Sequence, residues 1–196
     1  MGARVTSNYF PVSGIVSLVS MTMEGQTLEV AAIGSDGVVG IETVLQAGIA
    51  RWEAIASTPV EALRVSADRL RSELERSAAL RRVLLQYSYG VLGQVAQAAV
   101  CHRFHTVAQR LARWLLVARE RLRSDAIQMT QEAVAGLLGS PRTAVTTAGV
   151  VLQDRGAIRQ RHGRTLIVDA AILRELACEC YEPSTVVVSA RARGGQ

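Results

Sequence analysis

The chain has 196 residues, 49% of them hydrophobic, enough apolar material for one large or two small folded domains. Its net charge of +5 is unevenly placed: residues 1 to 102 carry eight Arg against nine acids (−1), residues 103 to 196 fourteen Arg against eight acids (+6). The second half therefore suits a polyanionic partner, while the lack of any apolar run near the roughly 18 residues of a membrane span, or of a signal-peptide pattern, makes a cytoplasmic, non-membrane protein the expectation.

Apolar residues alternate from Gly14 to Thr22 and from Thr27 to Ile33, and Glu24-Gly25-Gln26 between them suits a tight reversal, so a β-hairpin is predicted. A glycine-punctuated stretch follows (Gly34, Gly37, Gly40), then extended segments at Ala54 to Ser57 and Val60 to Val65. At Ser66 the period turns helical. Ser66 caps a short helix through Leu74, and a longer helix runs from about Ala79 through Cys101. In the longer one Leu85, Tyr89, Leu92, Ala96 and Ala99 recur at spacings of four and three, a narrow seam that either packs on the β unit or pairs two such helices; pairing into a dimer is favoured.

A further helix, Thr106 to about Arg123, has Val107, Leu111, Trp114, Leu115 and Ala118 on one side and opens a new domain. After a short extended piece at Ala126 to Met129, Thr130 caps a helix with Val134, Leu137 and Leu138 inward, and Gly139 ends it. Ser140 is read as the cap of the next helix and Pro141 as its first residue, the helix continuing to Arg155 before Gly156. Two helices so closely linked form a helix-turn-helix. On a helical wheel Val145, Ala148, Gly149 and Leu152 form the buried side, so Thr143, Thr147, Val150 and Asp154 face outward with Thr146 beside them and Arg142 near the N-terminus. Arg at that end of a recognition helix bonds guanine in bidentate fashion, and Thr serves bases or phosphates. A hairpin from Ala157 to Val168 follows, turning at His162-Gly163. Arg159, Arg161, His162 and Arg164 make its tip basic, as a wing against a phosphate backbone requires.

Gln109-Arg110-Leu111-Ala112-Arg113-Trp114-Leu115-Leu116, Met129-Thr130-Gln131-Glu132, Leu138-Gly139, Arg142, Val145 and Gly163 to Asp169 together resemble the DNA-binding domain of Crp/Fnr transcription regulators. Tyr9 to Gly14 and Glu29 to Leu45 resemble the later strands of that family's cyclic-nucleotide-binding roll. The resemblance implies an α+β fold in four parts: a truncated roll acting as sensor (1–78), a dimerisation helix and hinge (79–105), a winged helix-turn-helix (106–182) and a flexible tail (183–196). It implies a homodimer that sets two recognition helices in successive major grooves of double-stranded DNA, with Arg142 as a base reader. It admits RNA polymerase and an unidentified small-molecule effector as further partners.

Departures from the family pattern concern the sensor. The Gly-Glu step and the Arg followed by a hydroxyl residue that hold a cyclic phosphate are represented here by Gly40-Ile41-Glu42 and Arg51-Trp52. Gly40, Glu42 and Arg51 are thus the candidate effector residues, but the shifted Glu and bulky indole speak against a cyclic nucleotide. No cofactor is expected. Cys101, Cys178 and Cys180 lack zinc-ligand spacing; Cys178 and Cys180 stand two apart on an expected helix, where side chains diverge, so packing is favoured over a redox pair and no metal site is expected. His102 and His105 share a helix face near the hinge, and a hinge role is favoured for them. No nucleophile with a spaced base, phosphate-cradling loop or carboxylate pair marks an enzyme. The alternative to a regulator is a ligand- or protein-binding dimer with a vestigial helix-turn-helix.

Overall fold

The computed structural model describes residues 2–161 and 163–181. Its N-terminal unit is a β-roll of five strands: β1 (Ser7–Ser13), β2 (Val16–Met21), β3 (Thr27–Ile33), β4 (Glu53–Ala56) and β5 (Glu61–Ser66). β1 pairs antiparallel with β5, while β2 lies between β3 and β4 in a second antiparallel sheet. The expected hairpin is β2–β3, with Gly25 in the left-handed region at its turn. Strand β1 was not anticipated because Pro11 interrupts its pattern; the strand accommodates the missing N–H beside an irregularity between Pro11 and Ser13 in its ladder with β5. Helix α1 (Ile41–Val44) is too short to carry a period.

Two capped helices lead out of the roll. Ser66 Oγ accepts from the Arg69 N–H to start α2 (Ala67–Arg76), and Ser77 Oγ accepts from the Leu80 N–H to start α3 (Ala78–Phe104). Helix α3 buries Leu84, Tyr87, Ser88, Val91, Ala98 and Cys101. Its other side leaves Leu85, Tyr89, Leu92, Ala96 and Ala99 exposed, Tyr89 at 79%. Packing of that stripe on the β unit is thereby ruled out within one chain. No helix among the described residues is long and apolar enough to cross a membrane.

The second domain opens with α4 (Val107–Leu122), started by a reciprocal cap: Thr106 Oγ1 accepts from the Gln109 N–H and Gln109 Oε1 from the Thr106 N–H. Strand β6 (Ala126–Gln128), helices α5 (Gln131–Leu137) and α6 (Arg142–Asp154), strands β7 (Ile158–Arg161) and β8 (Arg164–Ile167), and helix α7 (Ala170–Leu176) complete it. Its sheet order is β6-β8-β7. One core runs from Ile15, Val19 and Ala32 of the roll through α4 to Val145, Leu152, Ile158 and Leu173, so the two domains share buried surface.

Two local expectations need correction. Ser140 does not cap α6; Pro141 holds that position without a side-chain cap bond, because the Ser140 hydroxyl is engaged elsewhere. Nor do Cys178 and Cys180 stand on a helix: α7 ends at Leu176, and the chain turns in a short 3₁₀ stretch through Tyr181, which brings both side chains inward. Residues 183–196, expected as a tail, and His162 at the wing tip lie outside the described residues.

The turn between α5 and α6 is held against the roll. Thr27 Oγ1 donates to the Gly136 carbonyl at 2.9 Å, and Gly139, at φ +54°, lies where a Cβ would stand 2.7 Å from Leu28 Cδ1. Left-handed backbone and close approach both demand glycine. Gly139→Ala is expected to destabilise the chain by about 1–3 kcal/mol in urea unfolding.

Candidate nucleic-acid interface

The interface is built on α6, and α6 is positioned by its inner side. Val145, Ala148, Gly149 and Leu152 are the buried residues of the helix, as its periodicity requires, and they face the core that α4 supplies. Arg142, Thr143, Thr146, Thr147, Val150 and Asp154 are all exposed. The Thr146 hydroxyl donates to the Arg142 carbonyl at 3.0 Å and lies 2.9 Å from Gln131 Oε1; the Thr147 hydroxyl donates to the Thr143 carbonyl at 3.1 Å. Bonds of this kind fix the threonine rotamers and leave their oxygen lone pairs and methyls outward.

Arg110 of α4 clamps the turn that aims α6. Its guanidinium donates to the Leu138 carbonyl at 2.9 Å and to Ser140 Oγ at 3.0 Å, while Ser140 Oγ donates to the same carbonyl at 3.1 Å. A third partner is His102 Nδ1. Burial, and then the positive charges of Arg110 and Arg113, push the His102 pKa down to about 4, so the imidazole is neutral and accepts from Arg110 at neutral pH. Ser140 therefore serves the turn from within, and Thr130 caps α5 by accepting from the Ala133 N–H at 3.1 Å while staying exposed.

The wing is fixed to the same helix. Gln153 Oε1, near the end of α6, accepts from the Gln160 N–H of β7 at 2.8 Å. Arg159, Arg161 and Arg164 are exposed, and Arg161 stands directly across from Arg164 in the ladder. Like charges in that register repel. Among the described residues no ion pair engages Arg142, Arg159, Arg161 or Arg164, so these four cations face solvent on one domain without a neutralising partner among those residues.

The candidate effector residues sit in three different settings. Gly40, at φ +100°, is required by its neighbour: Asn8 Nδ2 donates to the Gly40 carbonyl at 2.6 Å and would lie 2.5 Å from a Cβ there. Glu42 is buried in α1 and Arg51 is exposed before β4. A cavity of about 590 Å³ lies instead between β3, α3 and α4, with Glu29, Gln94, Arg113 and Arg121 as polar lining and Tyr89 and Gly93 at the α3 seam. Burial raises the Glu29 carboxyl above its ordinary pKa, against the lowering effects of the Ser17 hydroxyl, Arg121 and Arg113. Nothing in the sequence pattern pointed to this cavity, because its walls come from both domains.

A β-roll, a long helix and a winged helix-turn-helix with an exposed basic face define a two-domain DNA-binding regulator. Two family descriptions match in the same order: the cyclic nucleotide-binding domain over residues 1–77 and the Crp-like helix-turn-helix domain over residues 109–176. The chain belongs to the Crp/Fnr family and is a DNA-binding transcription regulator. Its fold is similar to that of FixK2 from Bradyrhizobium japonicum (TM-score 0.77, 19% identity, 90% of each chain). It is also similar to the c-di-GMP-responsive global regulator CLP of Xanthomonas campestris (TM-score 0.68, 19% identity, 86% of this chain and 87% of that one). A CRP-family transcriptional regulator from Thermus thermophilus shares the fold as well (TM-score 0.64, 19% identity, 90% of each chain). No curated protein matches the sequence.

Removing the clamp should disorganise the turn rather than the whole domain. Arg110→Ala, which leaves the Leu138 carbonyl and Ser140 without their charged donor, is expected to cost about 1.5–3 kcal/mol of stability, checked by denaturant unfolding.

Proposed function

We propose that the protein acts as a homodimer joined along the exposed seam of α3, placing each α6 in the major groove and each wing on the adjacent phosphates. The observation that carries this reading is the joint exposure of Arg142 and the threonine row on a helix whose other side is fully buried. Arg142 reads guanine through O6 and N7. Thr143, Thr146 and Thr147 offer acceptors to the exocyclic amines of adenine or cytosine and methyl contact to thymine; Thr146 and Thr147 already spend their protons within the chain. Thr130 at the cap of α5 and Ser140 in the turn before α6 flank the groove, and Arg159, Arg161, His162 and Arg164 hold the backbone. The repulsion between Arg161 and Arg164 is relieved when a phosphate lies between them.

The dimer supplies the second recognition helix and covers the mouth of the cavity, since Tyr89, Leu92, Gly93 and Ala96 line it and belong to the seam side. A signal felt by the roll, from a small-molecule effector, shifts how the two α3 helices pair and hence the separation of the recognition helices. A protein working on chromosomal DNA in this way acts in the cytoplasm and meets RNA polymerase there; the reading gives it no catalytic step.

DNA binding and oligomeric state both test this. Selection of genomic fragments by the purified protein should enrich one palindromic motif. Arg142→Ala should reduce affinity for it by about 1–3 kcal/mol, relaxing one position of each half-site, whereas alanines at Arg159, Arg161 and Arg164 should weaken all sequences alike and reduce the salt slope by about 0.9 for each phosphate no longer engaged. Salt-sensitive binding with no motif would instead support a ligand- or protein-binding dimer with a vestigial helix-turn-helix. Tyr89→Glu combined with Leu92→Glu should convert the dimer to monomer in sedimentation velocity while leaving the far-UV spectrum unchanged.

A further inference from the structure

Three thiols and one imidazole that are far apart in sequence meet at the hinge. Cys101 Sγ lies 3.6 Å from Cys178 Sγ, and Cys180 Sγ lies 3.5 Å from His105 Nδ1. The four potential ligand atoms all fall within 4.8 Å of one another. The first separation is far beyond the roughly 2.05 Å of a disulfide. Cys101 and Cys178 are each 3% exposed and Cys180 1%, and the three sulfurs form a group apart from both hydrophobic cores.

We propose that Cys101, His105, Cys178 and Cys180 form a mononuclear tetrahedral metal site, of the type zinc occupies, fastening the end of α3 to the DNA-binding domain. The distances match the chemistry. Ligands at about 2.3 Å (S) and about 2.05 Å (N) from a tetrahedral zinc are separated by about 3.8 Å between sulfurs and about 3.6 Å between sulfur and nitrogen. An iron–sulfur cluster spreads its ligands over several irons and holds them further apart, so four atoms inside 4.8 Å favour one ion.

The surroundings are those of a ligand set. Glu179 Oε1 lies 3.1 Å from His105 Nε2, placed to accept from an N–H there, which leaves the lone pair of Nδ1 for the side of the sulfurs. Gln97 Nε2 donates to Cys180 Sγ at 2.8 Å, as a bond to a thiolate would. Three thiolates, a neutral imidazole and a divalent cation sum to one negative charge, and Arg110 and Arg113 are near enough to act on Cys101. Sequence spacing does not reveal the site because its ligands come from the last turn and cap of α3 and from the 3₁₀ turn beyond α7, with 77 positions separating Cys101 from Cys178. The grouping corrects the expectation of diverging cysteines; of the two histidines near the hinge, His105 joins the thiols while His102 turns to Arg110.

The test uses the full chain, purified anaerobically under reduction and stripped with a chelator, then titrated with Co²⁺. Thiolate-to-cobalt charge-transfer bands and the visible bands of tetrahedral cobalt should saturate at one ion per chain and disappear on adding Zn²⁺. Cys178→Ser should abolish the charge-transfer signal. His105→Ala, whose side chain sits at a helix end, should keep the far-UV spectrum and weaken zinc binding at least tenfold. Absence of the cobalt–thiolate bands in the reduced, folded protein would overturn the site; so would iron with labile sulfide in the anaerobic preparation, which would mean a multi-iron cluster. Unchanged cobalt spectra in both variants would likewise overturn it.

Discussion

Helix α4 is buried on almost every side, and the placement of everything else follows from that. Leu111, Ala112, Trp114, Leu115, Leu116, Val117 and Ala118 are all inaccessible, some against Ile15, Val19 and Ala32 of the roll and others against α6 and α7. A helix apolar around most of its circumference has to be enclosed by partners. Helix α4 therefore sets the roll and the recognition helix at a defined separation within one chain. Its polar residues add direction to that packing: Arg110 holds the turn before α6, and Arg121 reaches Asp36 at 3.8 Å and the Glu29 cavity.

Because the same helix touches both domains, a change in the roll has a short mechanical route to the DNA-facing surface. The β2–β3 hairpin presses Leu28 against Gly139 and Thr27 against Gly136, at the turn whose geometry aims Arg142. Interfaces packed this closely switch between arrangements rather than bending by degrees. The cysteine and histidine group adds a second tie between α3 and the DNA-binding domain beside that of Arg110, the two starting from the adjacent residues Cys101 and His102 of α3.

Features with local causes were legible in the sequence. The caps at Ser66 and Thr130, the glycine stops at Gly139 and Gly156, and the buried stripe Val145, Ala148, Gly149 and Leu152 all follow from one element's own sequence and appear as expected. The seam on α3 was legible as a pattern, and its exposure removes the competing use for it within the chain. Features that depend on distant partners were not. Ser140 looks like a cap until Arg110 claims its hydroxyl, and Gly40 looks like a ligand-contacting glycine until Asn8 occupies the space beside it. The convergence of Cys101, His105, Cys178 and Cys180 needs the tertiary fold, because neither pair has metal-site spacing alone.

The central claim is that two copies of this chain, paired along α3, read DNA together. Light scattering of the purified complex with a fragment carrying the selected motif gives its mass directly. The account predicts two chains per fragment, with a half-site fragment bound far more weakly. One chain per fragment at undiminished affinity would contradict it.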